Sequence, residues 1–239
     1  MKLSVIIPTL NEHDYLTATV RSIKENTTLK AAHEIIVVDS GSTDNTPEMA
    51  IELGLRLIEI GCETSGRACA LNRGASSAKG EVLLFLDADT VLPLGYDEAI
   101  HTALKDPETV GGAFEFALDG KEFGLRVVEM INRLRYRISH RYYGDQGIFV
   151  RASAFLKLGG YPERRILEAA DFCSAMNQLG RLALIHKKIK TSPRRFLEGG
   201  VYRVLANDIK IWWLDLLGKS VDHYADLYWD QNQRRGNKK

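Results

Sequence analysis

Short apolar runs alternate with amphipathic segments through the first hundred residues of the chain. Leu3–Pro8, Glu34–Asp39, Arg56–Ile60 and Val82–Leu86 lack the strict alternation of a half-exposed strand, so they read as strands buried on both faces. Between them lie helical patterns. Asn11 caps a segment with Asp14 three residues on and Leu16, Val20 and Ile23 on one face. Thr46 as cap and Pro47 at the first helical position open a helix ending near Gly54. Further helices are predicted over Arg67–Ala78 and from Pro93 to about Lys105. Strands and helices in this alternation predict βαβ units and a mostly parallel sheet.

The second half is less regular. Val110–Phe116 predicts a strand, Lys121–Ser139 a long basic helix, Ile148–Arg151 a strand, and Ile166–Leu179 a helix ended by Gly180. Arg181–Ile185 and Lys188–Thr191 predict the last strands. From Val201 the chain turns helical and aromatic, through Ile209-Lys-Ile-Trp-Trp-Leu-Asp-Leu-Leu217 to Tyr224, Leu227, Tyr228 and Trp229. This stretch suits packing on the core, pairing with a second copy, or contact with a bilayer interface.

Composition narrows the functional classes. The 32 basic residues nearly balance 31 acidic ones, which gives no global electrostatic case for nucleic acid. Local basic clusters remain at Arg133, Arg135, Arg137 and Arg141, at Arg194-Arg195, and in the tail Arg234–Lys239; such clusters are most often solvated faces. Cys62, Cys69 and Cys173 are odd in number and lack C-x-x-C spacing, as expected of a reducing cytosol. The apolar start stops at Pro8, too short for a signal peptide, and no apolar stretch is long enough to span a bilayer. The expectation is a cytoplasmic protein, free or peripheral on the inner membrane face.

The strongest chemical signal is Asp87-Ala-Asp89, directly after the apolar run Val82–Leu86. If the strand continues through it, both carboxylates project to one side, roughly 7 Å apart. Like charges that close call for a cation, and hard oxygen donors suit Mg²⁺ or Mn²⁺ completed by water and phosphate oxygens. The carboxyl end of a central strand is also where open α/β sheets bind ligands.

Four motifs in this order resemble family 2 glycosyltransferases: Ser4-Val-Ile-Ile-Pro-Thr-Leu-Asn-Glu12, Ile36-Val-Val-Asp-Ser-Gly-Ser-Thr-Asp44, Gly66-Arg67 with Asn72, and Leu86-Asp-Ala-Asp89. The later Tyr143-Gly-Asp-Gln-Gly147 and Arg181-Leu-Ala-Leu-Ile185 resemble one small bacterial branch of that family. The resemblance implies a GT-A fold: a Rossmann-like domain over 1–200 (nucleotide half 1–92, acceptor half 93–200), with 201–239 a helical extension. It implies a UDP- or GDP-linked sugar near Pro8, Asn11, Glu12, Asp39, Ser42, Arg67, Asn72 and Asp87, and a metal on Asp87 and Asp89. Ser42 and Asp44 suit turn-making and capping equally well. Asp145 and Gln146 are implied to face the acceptor, which could be lipid-linked, or to complete the metal shell; His140 and His186 are further ligand candidates.

The implied reaction inverts the anomeric carbon and needs a carboxylate to deprotonate the acceptor. The family pattern places a Glu-Asp pair at the start of a helix, but here the stretch is Ile166-Leu-Glu168-Ala169-Ala170-Asp171, with Ala169 at the Asp position. Glu168 and Asp171 share a helix face, and Asp171 is the expected base by a narrow margin over Glu168. Two alternatives stand beside this reading. One is a sugar-nucleotide binder without turnover. The other is a haloacid-dehalogenase-type phosphatase using Asp87 and Asp89, which would lack that motif's usual place at the start of its domain.

Overall fold

The computed structural model describes residues 2–29, 33–61 and 66–225. Cys62, Leu227, Tyr228, Trp229 and the basic tail 234–239 lie outside the described residues. One eight-stranded sheet is formed by β1 (Leu3–Thr9), β2 (Glu34–Asp39), β3 (Arg56–Glu59), β4 (Val82–Phe85), β5 (Thr90–Val91), β6 (Thr109–Leu118), β7 (Ile148–Arg151) and β8 (Arg181–Thr191), in the order β3-β2-β1-β4-β7-β6-β8-β5. The helices are α1 (His13–Glu25), α2 (Thr46–Glu52), α3 (Arg67–Ser77), α4 (Tyr96–Ala103), α5 (Phe123–Ser139), α6 (Ala152–Leu158), α7 (Glu168–Leu179), α8 (Arg194–Gly199) and α9 (Val201–Leu216).

Strand direction decides what can meet at the site. β1, β2, β3 and β4 are mutually parallel, and β7 is antiparallel to both β4 and β6. Two reversals restore the first direction, so β6, and β8 parallel to it, point the same way as β4. The carboxyl ends of β1, β2, β4, β6 and β8 therefore open on one edge, and the chain leaving β8 arrives beside the loops after β1 and β4.

The apolar strands are sorted by their period of two. Ile6, Ile36, Val38, Leu83 and Phe85 face one core with residues of α3, α5, α6, α7, α8 and α9. Val5, Ile7, Val37, Val82, Leu84 and Leu86 face the other, covered by Leu16, Val20 and Ile23 of α1, Ala50 of α2, and Tyr96 and Ile100 of α4. Helix α3 lies very close to the sheet at Gly74, where a Cβ would come within 2.4 Å of Ile6 Cγ2. Val204 and Leu205 of α9 share the first core, so the start of the C-terminal segment packs onto the sheet domain. Among the described residues no helix is long and apolar enough to cross a membrane.

Several elements depart from expectation. β4 ends at Phe85, and Asp87 and Asp89 lie in the connection from β4 to β5, so strand alternation does not set their directions. The helix expected from Pro93 starts only at Tyr96, because Gly95 adopts a left-handed conformation at its cap (φ 67°). Residues 181–191 form one strand instead of two, with His186-Lys187 accommodated where the β6 register shifts from Phe114↔Ile185 to Glu115↔Lys188. α6, for which the sequence reading gives no element, ends at Gly159 with φ 77°.

Candidate active site

The loops after β1 and β2 are built as one unit. Asn11 takes a left-handed conformation (φ 57°), unusual for a residue other than glycine. Its N–H donates to Ser42 Oγ (2.9 Å) and its Oδ1 accepts from the Thr43 N–H (2.8 Å). Glu12 N–H donates to Thr46 Oγ1 at 2.9 Å, and Asp44 accepts from the N–H groups of His13 and Thr46. Asp39 is buried beneath, accepting from Thr9 Oγ1 (3.0 Å) and from the N–H groups of Gly41 (3.0 Å) and Ser42 (2.8 Å). Asp39, Ser42 and Asp44 thus shape the loops at the sheet edge where Pro8, Asn11 and Glu12 lie.

Two arginines meet the acidic pair. Arg67, at the start of α3, sets Nη2 2.6 Å from Asp87 Oδ1 and Nη1 2.6 Å from Glu168 Oε1. Arg194, just past β8, sets Nη2 2.6 Å from Glu12 Oε1 and 3.1 Å from Asp89 Oδ2. Its guanidinium lies over the Tyr15 ring, 4.5 Å from the centroid. Burial pushes Glu12 up to about 7 although Arg194 pulls the other way, and the charges of Asp89 and Asp87 add to the rise. Burial also raises Asp89, against the pull of Arg194 and with the push of Asp87.

These residues fit a divalent cation. Glu12 Oε2 is buried without a hydrogen-bond partner, beside a cluster in which carboxylates outnumber arginines. Among the described residues no group of three or more His, Cys, Asp or Glu side chains is placed to hold a metal ion. A Mg²⁺- or Mn²⁺-type site needs only one or two carboxylates, with water and phosphate supplying the rest.

A second wall comes from the loops after α5 and α6. Gly144 lies against Arg67, where a Cβ would meet Nη2 at 2.1 Å and push the guanidinium from its present place. Asp145 follows in a 3₁₀ turn, and burial together with the Asp87 charge pushes its carboxyl up to about 6. Arg135, Arg195 and Arg67 act on it in the opposite sense, but none hydrogen-bonds it among the described residues. Tyr161 stacks on Phe172 with centroids 4.2 Å apart, and its hydroxyl is buried without a partner. Burial raises its pKa well above the usual one; Arg67 acts against that rise, and Cys173, Glu168 and Asp87 add to it.

Three expected site residues are committed elsewhere. Asn72 grips the backbone of Tyr161 twice, accepting from its N–H (2.8 Å) and donating to its carbonyl (2.9 Å), so it positions that tyrosine. Gln146 turns inward, donating to Phe114 O (3.2 Å) and accepting from Tyr143 N–H (3.1 Å). Asp171 belongs to a ring of ions: Arg141 bonds it at 2.9 Å, Arg164 holds its other oxygen, and both arginines also bond Asp215 of α9, at 2.8 and 2.7 Å. Of the two carboxylates expected as base, Glu168 is the one joined to Asp87 through Arg67. Ala169 is buried in the core. Of the two histidines, His140 ends α5 in a left-handed conformation, and exposed His186 lies 3.2 Å from Glu115.

Nothing local in the sequence places Arg194 and Tyr161 at this site. Arg194 read as half of a solvated basic pair, and only the direction of β8 reveals that it lands on Asp89. Tyr161 follows two glycines, a turn signal that says nothing about a phenol beside Arg67.

Comparison with known proteins gives the family. Residues 4–157 match the family described as glycosyl transferase family 2. Glycosyltransferase AglE of Haloferax volcanii is 28% identical over 231 residues, covering 89% of this chain and 75% of that protein. The undecaprenyl-phosphate 4-deoxy-4-formamido-L-arabinose transferase of Yersinia pestis is 30% identical over 179 residues, 72% of this chain; the match spans only about half (52%) of that transferase. Glucosyl-3-phosphoglycerate synthase from Mycobacterium tuberculosis, solved with Mn²⁺ and UDP-glucose, shares the fold with a TM-score of 0.62 at 20% identity, covering 92% of this chain and 80% of that one.

Proposed function

The chain belongs to glycosyl transferase family 2, and on that premise we propose that it moves a sugar from a nucleoside-diphosphate sugar to an acceptor hydroxyl, with inversion and with a divalent cation held by Asp87 and Asp89. The observation that carries this reading is the pair of arginine-bridged carboxylate contacts at the carboxyl edge, Arg67 on Asp87 and Arg194 shared by Glu12 and Asp89, with one Glu12 oxygen unpartnered. A bound Mg²⁺ or Mn²⁺ would offset charge developing on the leaving diphosphate. The phosphatase alternative loses its support with the family match.

The chain's own residues do the remaining work. The fused loops around Asn11, Asp39 and Ser42 form the floor for the nucleoside. Arg67 is held by Asp87 and Glu168 so that its charge stays fixed at the phosphate end. Asp145 takes the acceptor proton, because a carboxyl near 6 is mostly ionised at neutral pH and still basic enough to act. Binding without turnover remains the second reading, favoured by the buried Ala169 at the family's base position.

The acceptor proposed is lipid-linked, with the protein peripheral on the cytoplasmic membrane face. Phe123, Met130, Leu134 and Ile138 of α5 and Tyr202, Trp213 and Leu216 of α9 expose apolar surface on two helices that pack together. The Yersinia relative's name specifies an undecaprenyl-phosphate substrate. Calorimetric titration with UDP-glucose and GDP-mannose, with Mn²⁺ and then with EDTA, tests the central claim. Binding of a nucleotide sugar that needs the cation is expected; equal binding in EDTA overturns the metal role.

A further inference from the structure

Arg194 is placed by the sheet. β5 pairs with β8 through Thr90↔Thr191, Ser192 N–H donates to the Asp89 carbonyl at 3.1 Å, and Thr191 Oγ1 reaches Asp89 Oδ1 at 3.2 Å. The end of β8 is thereby clipped to the Asp87–Asp89 turn, and Arg194 follows two residues later against Tyr15. The neighbouring Arg195 points to a different task, pairing with Asp208 of α9. Of these two arginines, the first is the one that bridges Glu12 and Asp89.

The guanidinium is only partly used. Both of its ion pairs, to Glu12 Oε1 and to Asp89 Oδ2, are made by Nη2. Nε and Nη1 make no hydrogen bond among the described residues, so the rest of the donor fork is open to an anion. Glu12 contributes the complementary fact, a second oxygen buried without a partner. An arginine shared by two carboxylates, with unused donors on one side and an unsatisfied acceptor beside it, is built to change partners.

We propose that Arg194 is an exchangeable counter-ion: it bridges Glu12 and Asp89 in the free protein, competes there with a divalent cation, and passes to the diphosphate of the nucleotide sugar on binding. The assignment rests on the transferase reading for the identity of the anion. Bond counts allow the exchange, because Nε and Nη1 can meet a phosphate bidentately while Nη2 gives up Asp89 and keeps Glu12. Arg194 therefore has two effects of opposite sign. It weakens the free protein's hold on a cation and strengthens the loaded protein's hold on diphosphate.

The test measures both on Arg194→Gln and Arg194→Lys. Mn²⁺ binding without nucleotide is read by electron paramagnetic resonance of the free ion, and binding of UDP, GDP and inorganic pyrophosphate in saturating Mn²⁺ by calorimetry. Arg194→Gln should bind Mn²⁺ several-fold tighter and the three diphosphates roughly ten- to a hundredfold more weakly, the worth of a lost hydrogen bond to a charged group. Arg194→Lys should keep Mn²⁺ affinity near wild type, as it keeps the competing charge, and recover part of the diphosphate affinity. A variant that merely loosens the fold would weaken both ligands together, and that result overturns the proposal. Unchanged diphosphate binding by Arg194→Gln also overturns it and leaves the transferase reading standing. A wild-type protein that binds none of the three diphosphates overturns the transferase reading itself and the anion assignment with it, whatever Mn²⁺ does.

Discussion

Asp87 and Glu168 meet across a single guanidinium, each 2.6 Å from a terminal nitrogen of Arg67. The two carboxylates come from opposite halves of the chain, so this bridge joins the sheet edge to the first turn of α7. Both ends are largely buried, and burial is the reason the pairing matters. Arg67→Gln would leave Glu168 charged and uncompensated, with an expected loss of about 3–5 kcal/mol in chemical denaturation. The double variant Arg67→Gln/Glu168→Gln removes the stranded charge and should recover a large part of that loss. Equal stability of the single and double variants would show that the bridge is not the source.

Much of this architecture is legible in the sequence, for a definite reason. The apolar period sorts Val5, Ile7 and Leu84 to one core and Ile6, Leu83 and Phe85 to the other, so strand existence and burial follow from local pattern. The loop motifs around Asn11, Asp39, Arg67, Asp87 and Asp89 lie at the ends of those strands, and the fold brings them to one edge. What local pattern does not carry is partner choice. Asn72, Gln146 and Asp171 have the right chemistry for a ligand, but their partners, Tyr161, Phe114, Arg141 and Arg164, are fixed by long-range packing. Arg194 is the reverse case, a surface-like residue drawn into the site by strand order.

Asp97 sets an acid limit on stability. Its carboxylate accepts from the N–H groups of Thr28 (3.0 Å) and Leu29 (2.8 Å) and from the Thr27 hydroxyl, tying α4 to the chain that leaves α1. These bonds hold its carboxyl down at about 2 against the cost of burial. A depressed folded value means that the stabilisation is complete above the unfolded value, near 4, and is lost as pH falls toward about 2. The shift corresponds to roughly 2–3 kcal/mol. Urea unfolding at pH 6, 4 and 3 should show that decline, and Asp97→Asn should flatten it while lowering stability at pH 6. A variant with the wild-type pH slope would remove Asp97 from the account.

The apolar face of α5 gives a direct membrane prediction. Met130, Leu134 and Ile138 are each well over half exposed, and Arg126, Arg133 and Arg137 lie on the same helix. Co-sedimentation with phosphatidylglycerol vesicles is expected at low salt and should weaken in high salt, since the arginine contribution is screened. Leu134→Glu and Ile138→Glu should each weaken vesicle binding about tenfold or more, from the lost burial of one aliphatic side chain. No sedimentation at low salt would refute the membrane reading, and size-exclusion chromatography of the same variants would then ask whether the face pairs with a second copy.

The last prediction concerns the proton acceptor. Three carboxylates are candidates for the proposed proton acceptor, and their surroundings separate them. Asp171 is clamped between Arg141 and Arg164, and Glu168 is bonded to Arg67, so each has an oxygen already occupied by a guanidinium. Asp145 has no such partner among the described residues, and burial with the Asp87 charge lifts it to about 6. A base acts only when ionised, so turnover should rise with pH along an acid limb whose midpoint lies at or below about 6, because a bound cation pulls the value down. Asp145→Asn should remove that limb and cut kcat by roughly 10²–10⁴-fold, the usual worth of general base catalysis, with donor affinity little changed. Asp171→Asn should instead lower the melting temperature, by loosening α7 from α9, and leave the pH profile in place. If Asp171→Asn abolishes the acid limb while Asp145→Asn turns over normally, the base is Asp171 and the arginine ring must open when the acceptor binds.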